Sequence, residues 1–79
     1  MEKSILDTNQ KTAIENARFA ARYRATREGE YVGIWYEEME ERYYIRPEAE
    51  PEWPSPLPAS AVKIEVWDSK GRKVYHLPR

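Results

Sequence analysis

Five of the six prolines in this chain fall within twelve residues, 47–58, in the run Pro-Glu-Ala-Glu-Pro-Glu-Trp-Pro-Ser-Pro-Leu-Pro. Proline has a fixed φ and no backbone N–H to give a neighbouring strand, so this stretch can be neither a helix interior nor a central strand. It reads as an extended, largely polyproline-like crossover. Regular structure must therefore lie on either side of it.

Ahead of the crossover, residues 7–27 read as the one long helix. Asp7 is placed to cap it, with Gln10 in the capping-box position three residues on, and Gly29 is placed to end it in a left-handed conformation. At 100° per residue, Ala13, Ile14, Ala17, Ala20, Ala21 and Ala25 share one face, which Arg24 interrupts and Phe19 and Tyr23 flank. Lys11, Glu15, Arg18 and Arg22 fall opposite, where Arg18 and Arg22 can pair with Glu15. A face made mostly of alanine lets a helix approach a sheet closely.

Residues 31–36 and 42–45 are rich in β-branched and aromatic side chains. The acidic residues between them lack the Gly or Asn of a tight turn, so a loop of four or five residues is expected. Beyond the crossover, residues 62–67 and 72–77 form a second hairpin around Asp68-Ser69-Lys70-Gly71, with glycine where a type I turn plus bulge requires it. The expected fold is α+β: one helix packed on a four-stranded antiparallel sheet made of two hairpins. The boundaries are a helix over about 8–27, a hairpin over 30–46, the crossover over 47–60 and a hairpin over 61–77, in a single domain. Strict alternation turns Val32, Ile34, Tyr36, Val62, Ile64 and Val66 towards the helix. The opposite face then holds Trp35, Trp67, Tyr31, Tyr44 and Tyr75 among the basic residues Arg42, Lys63 and Lys73.

Charge is distributed as unevenly as proline. Residues 28–52 hold nine glutamates against Arg42 and Arg46, a balance of −7, although the whole chain is at −1. Both flanking segments are basic. Such asymmetry bears on partners rather than on fold. Glu37, Glu38, Glu40 and Glu41 crowd the tip of the first hairpin with Met39 among them, an apolar group able to anchor an interface. The tip can be a negative prong for a basic groove or a solvated loop. The aromatic face can stack bases, form a protein contact, or close a second small core beneath Trp53 and the prolines.

Chemistry has little footing. His76 is the only histidine and there is no cysteine, so thiolate metal sites and disulfides are excluded. No phosphate-binding glycine loop or metal-ligand spacing is present, and the paired carboxylates sit on a loop without an apolar pocket to raise a pKa. A near-neutral chain has little electrostatic drive for nucleic acid, and Pro51-Glu52-Trp53-Pro54 lacks the basic neighbour of a PxxP ligand. No stretch reads as a signal peptide or a membrane span.

The expected function is therefore a small, soluble, cytoplasmic, non-enzymatic binding protein without a cofactor or metal, whose partner is a protein with a basic surface. Glu37, Glu38, Met39, Glu40, Glu41, Trp35, Trp67 and Tyr44 are the candidate contact residues. Because many basic grooves belong to nucleic-acid-handling machinery, an inhibitor or decoy of such machinery is the concrete expectation. Phage anti-CRISPR and anti-restriction proteins are a class with this profile, by analogy of size and charge alone. The alternatives are a nucleic-acid-binding module using the aromatic face, and a structural subunit or homodimer joined through an edge strand.

Overall fold

The computed structural model describes the backbone of residues 2–78 and the side chains of residues 11–78. One helix, α1 (Glu2–Glu28), precedes four strands, β1 (Val32–Glu37), β2 (Arg42–Pro47), β3 (Val62–Trp67) and β4 (Lys73–His76). The strands form one antiparallel sheet in the order β2-β1-β3-β4, with the helix against it. This is the expected α+β arrangement. The helix begins before Asp7, so Asp7 is not its boundary; the Asp7–Gln10 capping pair lies outside the described side chains. Gly29 ends the helix at φ 66°, where the Glu30 N–H donates to the Ala25 carbonyl at 3.1 Å. That is the expected left-handed stop.

The core is narrow and explains the alanines. Ala17, Ala21 and Ala25 are buried one helical turn apart against Val32 and Ile34, with Tyr43, Ile45, Ile64 and Trp67 packed around them. Without side chains beyond Cβ, the helix can lie close over β1 and β2. Ala20, expected on this face, is exposed: the stripe follows i, i+4 and i+8, and Ala20 falls off its edge.

Two bulges redistribute the side chains of the second hairpin. Ile34 faces Glu65 and Trp35 faces Lys63, so Ile64 is an extra residue on β3. Val66 faces Tyr75 and Trp67 faces Lys73, so Val74 is an extra residue on β4. Each extra residue flips everything beyond it to the other face. Glu65 and Trp67 therefore lie on the helix side with Ile64, and Val66 lies on the far side opposite Gly33. This corrects the strict alternation, which placed Trp67 beside Trp35 and turned Val66 to the helix.

Because β2 and β3 flank β1, the proline segment must cross β1 to join them. It crosses the face away from the helix. Ser55 accepts from the Arg46 guanidinium through its hydroxyl oxygen at 3.4 Å, and the Ser60 hydroxyl donates to Glu37 Oε2. Arg46 pairs with Gly33, Tyr44 with Trp35, and Arg42 with Glu37, so the row of Trp35 lies between these two anchor points. Trp35 is only 9% exposed, its ring lying over Gly33 so closely that a Cβ there would stand 2.6 Å from it. Turns at its two ends interrupt the polyproline-like path expected for the segment. The Glu50 N–H donates to the Pro47 carbonyl, Trp53 to Glu50, and Ala61 to Pro58, giving successive tight turns. Pro51 occupies the second position of one, where its fixed φ favours the turn.

Candidate functional site

The first hairpin turns through residues 38–41, between the paired Glu37 and Arg42. Its Glu41 N–H donates to the Glu38 carbonyl at 3.2 Å. Glu41 itself has φ 54°, the left-handed conformation that glycine or asparagine adopts with least strain. Glu38, Met39, Glu40 and Glu41 are all exposed, Met39 at 89%.

Glu37 behaves differently from the other tip glutamates. It is 3% exposed. Its Oε1 accepts the Glu40 N–H at 2.6 Å and its Oε2 accepts the Ser60 hydroxyl. These donors stabilise the charged form and hold its carboxyl below the usual glutamate range. Glu37 thus ties the tip to the proline strap. As a candidate contact residue it is corrected to a supporting one: its carboxylate is already occupied and turned inward.

The remaining acidic residues divide by position. At the base of the hairpin, Glu48 meets Lys63 at 3.0 Å, Glu30 meets Arg24 at 3.1 Å and Glu28 lies 3.9 Å from Arg27. Glu52 accepts the Leu57 N–H at 2.9 Å. At the tip, Glu40 accepts the Tyr44 hydroxyl at 2.9 Å, which raises the Tyr44 pKa. Arg42 and Arg46 lie over the Tyr44 ring at 5.1 and 5.4 Å, a cation–π arrangement. Among the described residues no cation lies within ion-pair distance of Glu38 or Glu40. Within this acidic segment, Glu28, Glu30 and Glu48 at the base thus face cations, and Glu38 and Glu40 at the tip do not.

The aromatic face is less available than the alternation implied. Trp35 is covered, and Trp67 lies on the helix side, its Nε1–H donating to Glu65 Oε1 at 3.2 Å. Tyr44 stays partly exposed among its arginines, and Tyr75 lies under Lys63 at 5.4 Å. Trp53, expected to help close this face, is 59% exposed and borders a surface hollow with Tyr23, Arg24 and Arg27. On the helix, Phe19 and Tyr23 are exposed and stacked at 6.4 Å.

Sequence reasoning missed a charge cluster around a buried carboxylate on the helix side. Glu65 is 1% exposed, and its Oε2 accepts from Arg18 Nε at 2.8 Å and Nη2 at 2.6 Å. Lys73 stands 3.8 Å and His76 Nδ1 4.0 Å from the same oxygen. Burial pushes the Glu65 carboxyl up, but the Arg18 hydrogen bonds and charge, with Lys73 and Trp67, outweigh it and leave the pKa lowered. Arg18 was expected to solvate the outer face beside Glu15; it turns inward because the β3 bulge places a carboxylate beneath it. The only sequence signal was an acidic residue within an otherwise apolar strand. Among the described residues no three His, Cys, Asp or Glu could hold a metal ion, and no helix is long and apolar enough to cross a membrane.

No protein-family model, no curated protein and no solved structure matches this chain.

Proposed function

We propose that this chain is a small non-enzymatic binding protein whose acidic hairpin tip engages a basic surface of a protein partner, acting as an inhibitor or decoy of nucleic-acid-handling machinery. The observation that carries this reading is Glu41 at φ 54°. A glutamate held where glycine is favoured costs on the order of 1 kcal/mol. Retaining it keeps a third carboxylate beside Glu38 and Glu40, on a turn already ordered by Glu37. Local strain of this kind is a pointer to function when the surroundings hold it in place.

Two further observations support the reading. Carboxylates crowded on an exposed, projecting turn make a localised negative prong, suited to steering a basic partner. Met39 stands exposed within that prong and offers an apolar anchor. The carboxylates with lowered pKa values, Glu37, Glu65 and Asp68, are each occupied by donors, so they serve as structural anchors in this reading rather than as general acids. The alternative of base stacking on the sheet loses support, because Trp35 is covered and Trp67 lies on the opposite face.

The test is capture of partners from the source cell on immobilised protein, with and without nuclease treatment and at low and high salt. The expected result is protein capture that weakens as salt screens charges beyond roughly 8–10 Å. Met39→Ala should weaken capture without changing its salt dependence. Recovery of nuclease-sensitive material alone would overturn the reading.

A further inference from the structure

The helix covers β1 and β2 more fully than the other half of the sheet. A cleft of about 480 Å³ remains there, lined by Lys11, Ile14, Arg18, Tyr36, Tyr43, Ile64, Glu65, His76 and Leu77. Its size lies within the roughly 300–1,000 Å³ typical of small-molecule sites. Every secondary-structure element contributes to it, and the β3 bulge brings Ile64 and Glu65 into it together.

We propose that this cleft binds a small amphipathic anion, a carboxylate carried on a flat apolar body. This goes beyond the hairpin reading and does not depend on it. Ile14, Ile64 and Leu77 supply aliphatic surface, and Tyr36 and Tyr43 form a tilted ring pair with centroids 4.8 Å apart. That surface suits a flat hydrocarbon or aromatic body. Around it stand Lys11, Arg18, His76 and, beside Glu65, Lys73. Among the described residues Glu65 is the sole carboxylate lining the cleft, and Arg18 already satisfies it through Nε and Nη2, with Nη1 outside that pair. The surplus charge is therefore positive, and a second carboxylate is favoured over a cation.

The cleft is also polarised from one end to the other. Burial raises the Tyr36 pKa, and the charges of Glu41, Glu38 and Glu37 raise it further. The Tyr36 end is thus apolar and within reach of the acidic tip, a poor place for an anion. On the other side, Arg18 and Lys73 stand 2.6 and 3.8 Å from Glu65 Oε2. The ligand's apolar body belongs against the tyrosines and its carboxylate towards Arg18 and His76. Desolvating that carboxylate in a half-open cleft is offset by the charge-assisted hydrogen bonds it gains.

The test uses 2-naphthoate as probe and 2-naphthalenemethanol as its neutral counterpart, followed by amide and side-chain NMR shifts on the full chain. The expected result is saturable one-to-one shifts centred on Ile14, Arg18, Tyr36, Ile64, His76 and Leu77, with the alcohol at least about tenfold weaker. Arg18 is a poor position for substitution because its loss strands Glu65. Two other variants keep the test decisive. Lys11→Glu, at an exposed position, should weaken naphthoate severalfold and leave the alcohol unchanged. Ile14→Trp should fill the cleft and abolish both, with a melt confirming the fold. Equal binding of acid and alcohol, shifts centred on Phe19, Tyr23 and Trp53, or no saturable shifts would each overturn the proposal.

Discussion

The two hairpin turns are built on one plan and put to opposite uses. In each, a buried acid at the end of the first strand accepts backbone N–H groups of the turn, and a left-handed residue closes it. In the second turn Asp68 Oδ1 accepts from Lys70 and Arg72, both at 2.9 Å, and the left-handed residue is Gly71 at φ 79°. In the first turn Glu37 plays the part of Asp68, and Glu41 stands where glycine is expected. The second turn is packed: a Cβ on Gly71 would lie 3.0 Å from Thr26 Cγ2 and 3.2 Å from Arg22 Nε. The first projects, and residues 38–41 are all exposed. Where the turn touches the helix, its chemistry follows what the backbone needs. Where it projects into solvent, a less favourable residue is kept and carries charge.

The largest effect should come from the packed turn. Gly71→Val combines a β-branched side chain, a left-handed backbone and a close approach to the helix. It should lower unfolding stability by about 2–3 kcal/mol in urea melts. An unchanged midpoint would mean that the turn is not docked on the helix.

The two acids come next, as a matched pair. Asp68→Ala and Glu37→Ala should both lower the melting temperature, since each strands backbone donors of its turn. Only Glu37→Ala should also speed amide exchange at the end of the strap, at residues 59–61, because Ser60 loses its acceptor. Equal exchange there in both variants would break the link between tip and strap.

Acidification should act on both turns in the same direction. Glu37 has its pKa lowered from 4.5, first through the Ser60 hydroxyl, and Asp68 from 3.8, first through the Arg72 N–H. Groups with depressed folded-state values contribute stability above the unfolded pKa and lose it as pH falls through the folded one. Glu65 has the same sign. Urea midpoints should fall below the ordinary carboxylate range, and Asp68→Asn and Glu37→Gln should each flatten that fall. Stability that rises on acidification would contradict this balance.

The smallest effect on stability should come from Glu41→Gly. It relieves left-handed strain but adds freedom to the unfolded chain, so stability should stay level or rise by up to about 1 kcal/mol. The same change should weaken capture of the partner. A clear loss of stability would show that Glu41 supports the fold.

Much of this was legible in the sequence because it follows from local chemistry. The alanine face gave the helix contact, Gly29 and Gly71 gave two left-handed positions, and the prolines gave a crossover, of which only Pro47 pairs in the sheet, at the end of the edge strand β2. The bulges at Ile64 and Val74 were not legible. One extra residue in a short alternating run leaves no mark in composition, yet it moves Trp67 and Glu65 to the helix side and brings Lys73 and His76 onto the same face as Glu65. Glu37 escaped for a different reason. Four neighbouring glutamates look alike in a sequence, and only the path of the strap distinguishes the one that Ser60 meets. A variant that reversed all four would mix a structural residue with three exposed ones.

The central claim is therefore tested by reversing only the exposed three. Glu38→Lys, Glu40→Lys and Glu41→Lys are made together with Glu37 intact, and the triple variant is compared with wild type in one partner-capture measurement at low salt, alongside its melt. The account predicts a native-like melt and loss of the captured protein. Capture equal to wild type by a folded triple variant would contradict it, and would leave the acidic tip as a solvated loop.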